Sequence, residues 1–210
     1  MHRVLRFERA RRMKEYFRNI APGIFLQELL NRPGAVGAIC PSSRFLASDM
    51  ARQVPLEGDG LVIELGAGTG VITQALLKHG VQPADLLIVE FSAVFVQRLR
   101  QRFPDLNIVH GNAADLCQLV PPGRKIKAIV SSLPLCSLPP TVTQAILQQW
   151  QALLQPNGLA VQFTYHLRLP KWREYLAARH ERSKIVWANL PPANINIFSF
   201  NEPTPDIALP

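Results

Sequence analysis

The sequence has little of what marks several large classes of protein. Its three cysteines, Cys40, Cys117 and Cys136, are widely spaced with no C-x-x-C pair in 210 residues. That spacing argues against a disulfide framework or a zinc site and suits three thiols in a reducing compartment. The five histidines (His2, His79, His110, His166, His180) never fall at ligand intervals, so no metal is expected. No apolar run approaches the ~18 residues of a membrane span. The N-terminus has basic residues but not the apolar core of a secretory signal. Internal repeats and low-complexity tracts are missing. Acidic residues are scarce, 15 against 23 basic ones, which leaves a net charge of +8. What remains, 48% hydrophobic and 18% charged, is the composition of a globular domain with its own core.

The charge is unevenly placed. Residues 1–20 hold seven Lys and Arg against Glu8 and Glu15, so +5 of the +8 lies there. In the same stretch Val4, Phe7, Ala10, Met13, Phe17 and Ile20 recur every three or four positions, an apolar stripe on a helix. A basic helix with an aromatic-bearing apolar face suits an anchor lying in a membrane interface, with Arg6, Arg9 and Arg12 towards anionic headgroups. The same pattern also suits a helix packed on the core with solvated charges, or an RNA-binding helix. Residues 1–25 are therefore set apart as a basic amphipathic segment, and residues 26–210 as the main domain.

From residue 60 the pattern alternates. Short apolar runs at Leu61–Leu65, Leu86–Glu90, Asn107–His110, Ile126–Ser131 and 158–164 read as strands separated by helical segments. Such alternation predicts βαβ units and a mostly parallel sheet. Ser42 or Ser43 is placed to cap a helix running to about Val54. Near the end, Ser183–Ala188 and Asn194–Phe200 are β-rich runs joined by a Pro-containing link, which predicts a closing hairpin with one antiparallel strand.

Between the first strand and its helix stands Glu64-Leu65-Gly66-Ala67-Gly68-Thr69-Gly70. Glycines are needed where backbone turns sharply and approaches a ligand closely. A dinucleotide fingerprint would place its third glycine at position 71, which is Val. The G-x-G-x-G spacing after an acidic residue instead resembles motif I of the class I methyltransferases, which bind S-adenosylmethionine. Glu90 ends the second strand, where a carboxylate can accept both ribose hydroxyls. After the third strand comes Gly111-Asn112-Ala113-Ala114-Asp115, which resembles the family's G-D-A loop. Asn112 replaces the acid but can still accept a hydrogen bond through its amide oxygen, and Asp115 shares that candidacy.

The segment after the fourth strand reads Ser131-Ser132-Leu133-Pro134-Leu135-Cys136-Ser137-Leu138-Pro139-Pro140. Its position matches motif IV, where amino-methylating enzymes carry N/D-P-P-Y or N-L-P-Y. Here Leu135 stands where an aromatic would stack on adenine, so an aliphatic amine is the better fit. GAICPSSRFLASDMA, VIELGAGTGVITQALL, HGNAADL, SSLPLCSLPP and GLAVQFTYH, in this order, resemble the bacterial phospholipid N-methyltransferases of the soluble Rhodobacter-like type over roughly residues 25–170. The rRNA adenine dimethyltransferases are more distantly similar; they carry a helical C-terminal domain for which no residues are expected here.

That resemblance implies a Rossmann-like α/β fold: a seven-stranded, mostly parallel sheet with an antiparallel C-terminal hairpin strand, preceded by an amphipathic helix. It implies S-adenosylmethionine held by Ser42, Ser43, Glu64, Gly66, Gly68, Gly70, Glu90, Phe91, Asn112, Ala113, Asp115 and Ser131. Ser131 and the Leu133 carbonyl are the candidates for holding the amine. Tyr165 and His166 are candidates for taking a proton or holding the lipid phosphate, Tyr16 for closing over the site, and Arg168 and Lys171 for binding phosphate. The implied activity is stepwise methylation of phosphatidylethanolamine towards phosphatidylcholine. It would take place on an anionic membrane surface reached through residues 1–25, at the inner face of a bacterial inner membrane, with no stable nucleic-acid partner. The competing expectations are methylation of another amino lipid such as ornithine lipid, RNA adenine N6-methylation, and a membrane-shaping protein in which the helix is the main function.

Overall fold

The computed structural model describes residues 43–200, apart from Gln155, Leu167, Arg168 and Leu190. The basic segment 1–25, with Arg6, Arg9, Arg12 and Tyr16, lies outside the described residues, as do Ser42 and Arg168.

Helix α1 (Arg44–Ala51) starts at Ser43, whose hydroxyl accepts a hydrogen bond from the Leu46 N–H at 3.2 Å. It ends three residues short of the expected Val54. Strand β1 (Leu61–Leu65), helix α2 (Val71–His79), β2 (Leu86–Glu90) and α3 (Ala93–Arg102) follow. Then come β3 (Asn107–His110), the short α4 (Leu116–Leu119), β4 (Ile126–Ser131), α5 (Pro140–Leu154), β5 (Leu159–Thr164), β6 (Arg179–Val186) and β7 (Ala193–Ser199). The seven strands form one sheet in the order β3-β2-β1-β4-β5-β7-β6. β1 to β5 are parallel, and β7 inserts antiparallel between β5 and β6. The expected antiparallel strand is thus β7.

Burial explains the sequences. β1 and β2 are buried at every position, because helices cover both faces; β2 reads as an apolar run ending in Glu90, and β1 as one interrupted only by Glu64 before its last residue. On one face Leu46, Met50, Ile72, Leu76, Val130, Val161 and Ile195 share a single cluster, which joins α1 and α2 to the sheet. Replacing a fully buried member such as Leu76 with alanine costs roughly 2–5 kcal/mol. β6 is different: an edge strand, largely exposed, with a bulge between His180 and Arg182 and charged side chains that discourage further pairing.

Because β6 runs parallel to β1–β5, its carboxyl end lies on the same edge of the sheet as the ends of β1, β4 and β5. Trp187, just past that end, is 70% exposed. The turn it belongs to is tied to α1, for the Ser43 N–H donates to Asn189 Oδ1 at 3.0 Å. Among the described residues no helix is long and apolar enough to cross a membrane.

Candidate functional site

At the carboxyl end of β1 the chain turns three times through left-handed backbone: Gly66, Gly68 and Gly70 have φ of 74°, 54° and 78°. Gly66 donates to the Val89 carbonyl at 3.0 Å, and Gly70 to the Ala67 carbonyl at 2.8 Å. A Cβ on Gly70 would stand 2.7 Å from the Phe103 ring and 2.9 Å from Leu99 Cδ2, so glycine is required there for room as well as for angle. A Cβ on Gly68 would meet nothing within 4 Å, so that glycine serves the turn and leaves open space beside it.

Glu90 holds this loop to β2. Its Oε2 accepts from the Gly68 N–H at 2.9 Å and its Oε1 from the Ser92 N–H at 2.8 Å. Its side chain is buried, yet each oxygen keeps a further acceptor site for a ribose hydroxyl. Glu64 is fully buried; its Oε2 accepts from the Thr73 hydroxyl at 2.7 Å, while Oε1 has no partner. Burial pushes its carboxyl up to about 8, against the Thr73 bond, which lowers it; the neighbouring Glu90 charge pushes the same way as burial. An orphaned acid oxygen beside an open glycine turn and an anchored ribose-type carboxylate fit a cofactor with a cationic amino acid end and a nucleoside.

The third loop adds less than expected. Asn112 turns its amide oxygen onto its own loop, accepting from the Ala114 N–H at 3.0 Å. This Asx cap opens the 3-10 turn Ala113–Asp115 and leaves one acceptor position on Asn112 for a purine amine. Ala113 is buried beneath the turn and Asp115 is exposed. Phe91 is half-buried, with its carbonyl 2.8 Å from His110 Nε2.

The acceptor side lies across β4. Ser131 is fully buried, and its hydroxyl accepts from the Leu133 N–H at 3.2 Å. The Ser132 N–H donates to the Leu65 carbonyl at 2.9 Å, which seats the acceptor loop against the glycine loop. The Leu133 carbonyl, expected to hold the amine, is already engaged twice: the Leu135 N–H donates to it at 2.8 Å and Gln162 Nε2, on β5, at 3.0 Å, which uses both its lone pairs. Beyond it opens a cleft of about 640 Å³ bordered by Leu135, Leu138, Leu169, Trp172 and Tyr175, with Lys171 and His166 as its basic members.

The structure separates several residues that the sequence grouped. His166 borders the cleft, but Tyr165 packs edge-to-face on Phe163, centroids 5.5 Å apart, against the core cluster. Of these two candidates for taking a proton or holding phosphate, His166 is the one that borders the cleft. Ser43 acts as a helix cap. Lys171 is exposed at the cleft. Sequence reasoning missed Thr73, Gln162 and Trp172. Thr73 carried a signal, lying three residues into a helix after an acid-tipped strand; Gln162 carried none local to it.

Comparison with known proteins agrees with this layout. Residues 62–158 match the family model described as a methyltransferase domain. An ornithine lipid N-methyltransferase from Singulisphaera acidiphila is 29% identical over 157 residues, covering 72% of this chain and 79% of that protein. The ribosomal RNA small subunit methyltransferase A of Cupriavidus metallidurans is 38% identical over 79 residues, only 35% of this chain and 26% of that one. Among solved structures, the N-methyltransferase NodS from Bradyrhizobium japonicum WM9, in complex with S-adenosyl-L-homocysteine, superposes with a TM-score of 0.63 at 14% identity. That match covers 84% of this chain and 97% of that one.

Proposed function

We propose that this chain, a class I S-adenosylmethionine-dependent methyltransferase, transfers methyl groups to the amine of an amino lipid. The observation that carries the proposal is the cleft bordered by Leu135, Leu138, Leu169 and Trp172, which opens directly from the acceptor loop. A nucleobase would call for an aromatic platform at Leu135, and that leucine is buried. An aliphatic amine joined to acyl chains matches an apolar cleft with Lys171 and His166 on its border. The similarity to an ornithine lipid N-methyltransferase supports the same substrate class. Within it, phosphatidylethanolamine and ornithine lipid are the two candidates.

The cofactor would be held by Glu64, the Gly66–Gly70 loop, Glu90 and Asn112; when bound it supplies an electrophilic methyl group. The residues across β4 do the rest by placement. An attacking amine needs its lone pair, and an alkylamine near the ordinary lysine range is mostly protonated at neutral pH. The Leu133 carbonyl has both lone pairs engaged, by the Leu135 N–H and Gln162 Nε2, so the Ser131 hydroxyl, whose oxygen accepts only from the Leu133 N–H, is the group of this loop left to accept an N–H of the neutral amine and orient its free pair. As the new N–C bond forms, the departing proton passes to water or to His166 at the cleft border.

Residues 1–25 serve in this reading as the membrane anchor, through Arg6, Arg9 and Arg12 and the apolar stripe; each cation near an anionic surface adds about 1 kcal/mol. Vesicles containing phosphatidylethanolamine or ornithine lipid, incubated with labelled S-adenosylmethionine, test the substrate class. Labelled methylated lipid is the expected product, and label in RNA with none in lipid refutes the proposal. Charge reversal at Arg6, Arg9 and Arg12 is expected to abolish sedimentation with anionic vesicles while cofactor binding persists.

A further inference from the structure

Trp187 and Phe45 are the two most exposed large apolar side chains among the described residues, at 70% and 64%. They stand at one end of the molecule. Helix α1 lies along β6 in the reverse direction: Arg182 donates to Gln53 at 2.7 Å, Lys184 pairs with Asp49 at 2.8 Å, and the Ser43 N–H donates to Asn189. Phe45, in the first turn of α1, is thereby brought to the turn that follows β6, and Trp187 opens that turn. The turn is firmly held. Asn189 is buried; its N–H donates to the Val186 carbonyl at 3.3 Å, its Nδ2 to the Pro191 carbonyl at 2.7 Å, and its Oδ1 accepts from Ser43. An indole left in water on a fixed turn forgoes the stabilisation of burial. Tryptophan is enriched where its ring sits at the boundary between headgroups and acyl chains.

The loops around this end suit the same boundary. The segments that follow β1 to β6 (66–70, 91–92, 111–115, 132–139, 165–170 and 187–192) contain one acid, Asp115. The segments that lead into β1 to β4 at the opposite edge (55–60, 80–85, 103–106 and 120–125) contain four: Glu57, Asp59, Asp85 and Asp105. An anionic surface repels acids that come close to it, so this distribution turns the carboxyl edge of the sheet towards such a surface. Arg44, exposed and next to Phe45 in the sequence, adds a cation on the favoured side. Two runs of Leu-Pro-Pro, 138–140 and 190–192, follow β4 and β6. Proline has no N–H to strip of water, so such loops enter an interface at less cost than others. Leu169, which follows β5 and borders the cleft, is exposed as well.

We infer that Trp187 and Phe45 form a second membrane contact, carried by the folded domain itself: both rings seat in the interfacial layer of a lipid bilayer and hold the carboxyl edge of the sheet, with its acceptor cleft, against the headgroups. This rests on the reading that the acceptor is a lipid. It differs in kind from the contact proposed for residues 1–25. The basic segment works through charge, which salt screens, whereas seated rings work through apolar burial, which salt does not weaken. The first contact finds an anionic membrane, and the second sets which face of the domain meets it.

Sedimentation of the full chain with vesicles of phosphatidylcholine and phosphatidylglycerol tests this, since neither lipid has an N–H for a methyl group to replace. At about 1 M salt the Debye length is roughly 3 Å, so charge contacts are screened. The binding that remains is expected to fall at least about fivefold in Trp187→Ala and in Phe45→Ala. Leu56→Ala removes an exposed apolar side chain at the far edge and is expected to bind as wild type does. No wild-type binding at that salt overturns the inference. So does binding within about twofold of wild type in the double variant Trp187→Ala/Phe45→Ala, or an equal loss in Leu56→Ala. If the rings instead meet a second copy, the wild type sediments as a dimer without vesicles and Trp187→Ala as a monomer, which also overturns it. Absence of methylated lipid with the wild type refutes the substrate reading instead, and vesicle binding still decides the docking face.

Discussion

The two halves of the sheet hold their ligand groups in different ways. On the β1–β3 side, the groups proposed to meet the cofactor are fixed by backbone. Glu90 takes two main-chain N–H groups, and the glycine loop closes on main-chain carbonyls. On the β4–β7 side, side-chain amides join main-chain bonds in setting the geometry, as where Gln162 and the Leu135 N–H share the Leu133 carbonyl, and two of the amide atoms are buried without a partner. A backbone-built site is specified by a short stretch of sequence and tolerates little change. One built from side chains on separate strands is specified by register and can be retuned one residue at a time. A transferase that keeps one methyl donor and varies its acceptor has reason to be made this way.

The comparison can be broken most severely at Gly70. Gly70→Ala forces a left-handed alanine onto Phe103 and Leu99 and is expected to lower unfolding free energy by roughly 2–4 kcal/mol, read from denaturant midpoints. Glu90→Gln comes next. The amide keeps one acceptor but presents NH2 to a backbone N–H, so cofactor affinity measured by calorimetry should fall about 10–100-fold. Ser131→Ala probes the other half: turnover is expected to drop roughly 5–10-fold with cofactor affinity unchanged, and full activity would remove Ser131 from the acceptor site.

The smallest effect is one of pH. The folded-state pKa of Glu64, about 8, lies above its ordinary 4.5, so the folded chain keeps a proton that the unfolded chain releases. The stability this confers is complete below about pH 4.5 and is lost as pH rises through about 8. Glu64→Gln should flatten this dependence. Thermal midpoints of the two proteins are expected to diverge in favour of the variant between pH 5 and 8 (about three units).

What the sequence disclosed follows the same division. β1, β2 and β4 begin and end where their largely apolar runs do, because buried parallel strands need little else; β3, at the sheet edge, keeps its expected bounds with polar, exposed ends. The three positive-φ glycines and Glu90 were readable because backbone geometry restricts which residues serve. β6 starts four residues before the expected Ser183: its Arg179-His180-Glu181-Arg182 opening has no apolar period, as an edge strand needs none. Gln162 could not be singled out, since its meaning comes from Leu133, 29 positions away, and from Asn196 across the hairpin. One clue was present. Asn194 and Asn196 alternate with Ile195 and Ile197, and since every residue of β7 is buried, these amides lie in the interior with the isoleucines.

Of the three tryptophans, Trp150 and Trp172 are enclosed in the fold, at 0% and 5% exposure, while Trp187 stands out just past the carboxyl end of β6. The molecule therefore carries its own optical probe. A water-soluble quencher will reach one indole and spare two, and a blue shift of that quenchable emission on adding vesicles will report, without any label, whether this edge of the sheet meets lipid.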